Sequence, residues 1–140
     1  MADTPTVFQP ADGYAGDITP EQAAKWFADG EAVMIDVRSD AEREWVGYVP
    51  GAVPLAWKQW PGMAMNAGFD EGLRASVPPG GKVVLLCRSG VRSIAAAKRA
   101  TELGIEAYNV LEGFEGNADD QGHRGRLGGW RFRGLPWKQN

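Results

Sequence analysis

Two runs in the chain, Ala32-Val33-Met34-Ile35 and Val83-Val84-Leu85-Leu86, are apolar at every position. A strand with one face in water would alternate, so an unbroken apolar run of this length reads as a strand buried on both faces. Such a strand needs helices above and below it, and the intervening sequence supplies them. Thr19, Pro20 and Gln22 make an N-terminal capping signature for a helix over 20–28, which Asp29-Gly30 ends. Ser39 with Glu42 predicts a second short helix over Asp40–Trp45. Val49-Pro50-Gly51-Ala52 reads as a turn into a brief strand around Ala52–Leu55. Ile94–Leu103 is rich in alanine, a good helix former that packs closely, and Gly104 stands as its C-cap. Ala107–Leu111 supplies a further strand. The alternation of strand and helix predicts an α/β fold with a mainly parallel sheet.

At 140 residues the chain holds one medium-sized domain. We expect an irregular N-terminal arm over 1–17, which carries Pro5, Pro10, Asp12, Gly13 and Gly16 without a period. A single domain over 18–140 follows, including a C-terminal extension rich in aromatics and arginine. Residues 57–81 are heavily punctuated by Gly and Pro, with room for a short helix around Asp70–Ser76. The longest apolar runs fall far short of the roughly 20 residues that span a bilayer, so no membrane partner is expected. MADTPTVFQP has neither a basic start nor an apolar signal core, which predicts a cytoplasmic location. The net charge of -3 gives no support to a nucleic-acid surface. With one cysteine, Cys87, the chain can form no internal disulfide and no thiolate metal cluster; no metal or cofactor is expected. The sequence carries no signal for oligomeric state.

Cys87 follows the second apolar run directly and precedes a helix, the place where open α/β sheets put their ligands. Amide N–H groups of a turn that opens a helix converge on an anion, and nearby guanidinium groups favour a thiolate. Gly90 gives the turn backbone angles denied to other residues. Arg88 and Arg92 supply charge, and Arg92 closes the loop with a fork of donors suited to anionic oxygens. Ser89 and Ser93 read as loop-stabilising or capping residues, because the chain has no Ser-His-Asp arrangement to activate a serine. The blander reading is a small buried hydrophobe, but a core cysteine has no use for two arginines and a glycine within five residues.

With CRSGVRS at 87–93, VMIDVRSDAEREW at 33–45, VPGAVPLAW at 49–57, LEGFEG and GGWRFRGLPW, the chain resembles the rhodanese (thiosulfate sulfurtransferase) domain family over roughly residues 18–137. The resemblance implies a single three-layer domain with a central, mainly parallel five-stranded sheet flanked by helices. It also implies that Cys87 accepts a sulfane sulfur and becomes a persulfide. Arg88, Ser89, Gly90, Val91 and Arg92 would form the cradle, with Arg88 and Arg92 as contacts for the oxyanion of the donor. Asp36, Val37 and Arg38 match a recurring triplet of the family and would brace the loop, together with Ser93. One departure is that Tyr48 stands where many members have histidine, so no imidazole chemistry is expected there. His123, the only histidine, lies in a loop without a specific motif.

Related phosphatase-type domains place their cysteine and arginine six positions apart. Here the separation is five, which resembles the sulfur-transfer type. The implied reaction is a double displacement: Cys87 takes the outer sulfur of thiosulfate with release of sulfite, then passes it to cyanide or a thiol. The alternative from the same loop is a persulfide carrier or docking module that acts between partner proteins with little turnover of its own.

Overall fold

The structure is a computed structural model that describes residues 9–59, 64–90 and 92–139. Its strands are β1 (Gln9–Ala11), β2 (Tyr14–Ile18), β3 (Ala32–Asp36), β4 (Val53–Pro54), β5 (Lys58–Gln59), β6 (Ala64–Met65), β7 (Lys82–Leu86) and β8 (Glu106–Val110). Its helices are α1 (Pro20–Ala28), α2 (Asp40–Val46), α3 (Phe69–Ser76) and α4 (Arg92–Glu102). Five strands, in the order β2-β8-β7-β3-β4, run parallel, and β1 adds antiparallel to the β2 edge. The result is the expected three-layer α/β domain, with six strands in the main sheet rather than five.

The extra strand corrects the reading of 1–17 as an irregular arm. Asp12-Gly13 is a tight hairpin turn, with Gly13 at φ +88° and Ala11 paired to Tyr14. The glycines and prolines there mark a turn between strands. Residues 1–8 lie outside the described residues. In the punctuated stretch 57–81, β5 and β6 pair as a small antiparallel ribbon that sequence punctuation concealed.

The two apolar runs are the central strands. β7 lies between β3 and β8, and Val83, Val84, Leu85 and Leu86 are fully buried. Alternate side chains divide between the two faces. Met34, Val84, Leu86, Tyr108 and Val110 pack with Ala23 and Trp26 of α1. Ile35, Val83, Leu85 and Ala107 pack with Phe69 and Leu73 of α3 and with Ala96, Ala97 and Ala100 of α4. Each large apolar side chain so buried contributes about 1.5–3 kcal/mol. The alanines of α4 let that helix lie close on the sheet.

Parallel pairing sets Asp36 opposite Leu86, and Val37 N–H donates to Leu86 O at 2.8 Å. The residues that leave β3 and β7 therefore emerge side by side at the same edge of the sheet. The C-terminal segment closes beneath that edge. Phe114 N–H donates to Cys87 O at 2.8 Å and Glu115 N–H to Arg88 O at 2.9 Å. Trp130 is wholly buried, and Lys138 pairs with Tyr48 as an isolated antiparallel bridge. Among the described residues, no helix is long and apolar enough to cross a membrane.

Candidate active site

Cys87 is the first residue after β7, and its sulfur forms the floor of a cavity of about 590 Å³. The cavity is lined by Ser39, Ala41, Glu42, Trp45 and Val46 from the α2 side, by Arg88, Ser89 and Arg92 from the loop, and by Glu115. The thiol is buried, and this cavity gives a reactant a way to it. Gly90 N–H points at Cys87 Sγ with the nitrogen 3.0 Å away. Gly90 adopts φ +96°, the left-handed region that turns its amide inward and that other residues adopt at a cost. Ser93 Oγ lies 3.2 Å from the same sulfur. Ser93 sits in the first turn of α4, which begins at Arg92 and not at the predicted Ile94. Val91 lies outside the described residues.

Arg92 is engaged within the protein. Its guanidinium does not present a free fork to the cavity, because both terminal nitrogens meet the Glu42 carboxylate at 2.6 Å. The Ser39 capping box places that carboxylate: Ser39 Oγ accepts from Glu42 N–H, while Glu42 Oε1 accepts from Ser39 N–H at 3.1 Å. Burial pushes the Glu42 carboxyl up, but Arg92 and then Ser39 more than offset this and hold it below its ordinary value. The Arg92 guanidinium is held above its ordinary value, first by the hydrogen bond to Glu42 against burial, then by the charges of Glu42, Cys87 and Asp36. Arg92 is thus tied to Glu42 on the wall of the cavity, within electrostatic reach of Cys87.

Arg88 behaves differently. It is exposed and meets Glu115 through Nε at 3.2 Å, a contact that a half-solvated side chain can leave. Ser89 lines the cavity.

Below the loop, Asp36 and Arg38 are both fully buried and form a two-pronged pair at 2.9 and 2.6 Å. Arg38 also donates to Gly47 O at 2.8 Å, and its guanidinium lies 4.2 Å from the centre of the Phe114 ring. The pair ties the end of β3 to the loop after α2 and to the segment under Cys87. His123 is exposed and does not line the cavity. Among the described residues, no group of His, Cys, Asp and Glu could hold a metal ion.

Sequence reasoning missed the acidic half of the site. Glu42 reads as a capping residue and performs that task, but the same carboxylate also grips Arg92. Glu115, Trp45 and Asn109 carried no signal, since their roles depend on elements brought together from distant positions.

Comparison with known proteins bears on the whole of this arrangement. The model of the rhodanese-like domain matches residues 19–119. The crystal structure of Rv0390 from M. tuberculosis is 47% identical, covers 91% of this chain and 99% of that one, and superposes with a TM-score of 0.82. An uncharacterized protein of Rickettsia conorii is 30% identical over 116 residues, spanning 79% of this chain and 86% of the relative. The polysulfide-sulfur transferase homodimer of Wolinella succinogenes shares the fold, with a TM-score of 0.60 at 21% identity over 88% of this chain and 77% of that one. From the matched residues and the shared architecture together, the chain belongs to the rhodanese-like domain family.

Proposed function

We propose that the protein is a sulfurtransferase that carries a sulfane sulfur on Cys87 as a persulfide. The observation that carries this reading is the seat of the sulfur. Cys87 Sγ receives the Gly90 amide, feels the charge of Arg92 and lies at the floor of a cavity open to a reactant. A thiolate in such a field is a ready nucleophile and needs no separate base.

With thiosulfate as donor, the Cys87 thiolate attacks the outer sulfur. The new sulfur–sulfur bond forms as the bond to the sulfonate sulfur breaks, and sulfite leaves with the electron pair. Arg88 turns from Glu115 to meet the anionic oxygens, while Arg92 stays locked on Glu42. The outer sulfur of the persulfide carries the negative charge into the space framed by the loop amides. Cyanide or a thiolate then attacks that outer sulfur, and Cys87 leaves as thiolate. Ser89, Gly90 and Val91 are assigned to the cradle, and Asp36, Arg38 and Ser93 to its support.

A specific feature favours a second reading, in which the donor is a protein persulfide or the acceptor a protein thiol. One wall of the cavity is apolar, built from Ala41, Trp45 and Val46, and Trp45 is 70% exposed. A small dianion makes no use of such a wall. The two readings separate by rate. Steady turnover of thiosulfate with cyanide supports the enzyme reading, whereas loading without turnover supports the carrier. Failure to load from either thiosulfate or an organic persulfide contradicts both.

A further inference from the structure

Beneath Cys87 runs a polar chain whose members beyond Ser93 the sulfur chemistry above does not use. Ser93 Oγ touches Cys87 Sγ on one side and is hydrogen-bonded to Asn109 Oδ1 on the other. Asn109 Nδ2 donates to Asp17 Oδ1 at 3.0 Å, and the Tyr14 hydroxyl donates to the same oxygen at 2.8 Å. Asp17 and Asn109 are direct partners across the parallel pair β2–β8, so the sheet register itself sets their contact. Ser93 and Asn109 are buried.

The direction of every bond in this chain follows from what each group can donate. An ionised carboxylate only accepts, so the Asn109 atom that faces Asp17 is the amino group and its carbonyl oxygen faces Ser93. That carbonyl also only accepts. Ser93 owns one hydroxyl hydrogen, which therefore goes to Asn109. The lone pairs left on Ser93 Oγ face Cys87, where they accept from a thiol S–H and repel a thiolate. We infer that Asn109, oriented by Asp17, is a positioning residue that withdraws the Ser93 hydrogen from Cys87 and favours its thiol over its thiolate.

Other groups act on the same sulfur. Gly90 N–H and the charge of Arg92 favour the thiolate, and Arg88, Glu42 and Glu115 line the cavity above it. At the far end, the Tyr14 hydroxyl is pushed up to about 12, by burial first and then by Asp17, so it remains a donor to that carboxylate. The chain from Asp17 thus opposes the activating groups. Its consequence rests on the sulfurtransferase reading: a Cys87 thiolate with one donor fewer is a poorer leaving group, which slows loss of the outer sulfur to any nucleophile.

The test is the pH profile of Cys87 alkylation by iodoacetamide in the reduced full chain, over about pH 6 to about pH 10. Because the chain has one cysteine, all of the signal belongs to it. Ser93→Ala is expected to leave the midpoint unchanged or lower. A rise of about 0.5–1 pH unit would show that the hydroxyl serves the thiolate, and would overturn the inference. Asn109→Leu removes the carbonyl that takes the Ser93 hydrogen and frees the hydroxyl for sulfur. The midpoint then falls by about 0.5–1 unit, and adding Ser93→Ala in that background raises it again. An unmoved midpoint in Asn109→Leu contradicts the inference. Each variant decides alone if the other fails to fold. Alkylation needs no sulfur donor, so these shifts in a protein that never loads sulfur would sink the sulfurtransferase reading and leave the hydrogen-bond assignment standing.

Discussion

Glu42 and Arg92, fifty positions apart, close one side of the cavity as a two-pronged ion pair with both contacts at 2.6 Å. The pair divides the work of the two loop arginines, locking Arg92 and leaving Arg88 to move. Arg92→Ala leaves a half-buried carboxylate without its partner and is expected to cost about 1–3 kcal/mol in urea denaturation. Arg88→Ala is expected to cost no more than about 1 kcal/mol while raising the KM for thiosulfate several-fold. Equal stability losses with unchanged kinetics would contradict this division.

The same pair gives a pH dependence with a definite sign. Glu42 is held below its ordinary value of 4.5, burial being outweighed by Arg92 and Ser39. A carboxyl whose folded value is depressed contributes stability that is fully present above its unfolded value and lost as pH falls through the folded one. Urea midpoints are therefore expected to drop on acidification below that ordinary value. Glu42→Gln should be less stable near neutrality and show a shallower acid decline. Parallel declines in the two proteins would contradict the assignment.

Asp36 and Arg38 pair inside the core below the loop, where neither is exposed. Removing one partner strands the other charge, so Asp36→Ala is expected to cost about 3–5 kcal/mol. Replacing both with apolar residues of similar volume should cost less than the sum of the single changes. Sulfur loading per folded molecule should survive in any variant that folds. A selective loss of loading at unchanged stability would move Arg38 from the support into the site.

Gly113 is the closest packing point under the loop. It adopts φ +64°, and a Cβ there would lie 2.5 Å from Cys87 O and 2.6 Å from the carbonyl carbon of Arg88. Both are backbone atoms that cannot step aside without moving the cysteine. Gly113→Ala is expected to lower stability by about 2 kcal/mol or more and to slow sulfur loading at least tenfold. Thermal unfolding and single-turnover loading check the two effects separately.

Much of this arrangement was legible in local sequence. The runs that became β3 and β7 are apolar throughout because both faces are covered, and the Ser39–Glu42 box marks α2 to within a residue. Cys87 stands out because strand, loop and helix follow one another without interruption. What was illegible depends on distance along the chain. Nothing near Glu42 announces Arg92, and nothing near Asn109 announces Asp17, which lies on a strand hidden by the turn residues Asp12 and Gly13. A fork of donors at Arg92 suggests an anion to bind. Only the fold shows that the anion is a side chain of the protein itself.

The central claim, that Cys87 accepts a sulfane sulfur, is tested most directly by intact mass. The reduced protein is mixed with a stoichiometric amount of thiosulfate or of an organic persulfide, alongside Cys87→Ser. The account predicts a gain of about 32 Da per chain, removed by cyanide and absent in Cys87→Ser, with one sulfite released per chain when thiosulfate is the donor. No gain from either donor, or an equal gain in Cys87→Ser, would contradict it.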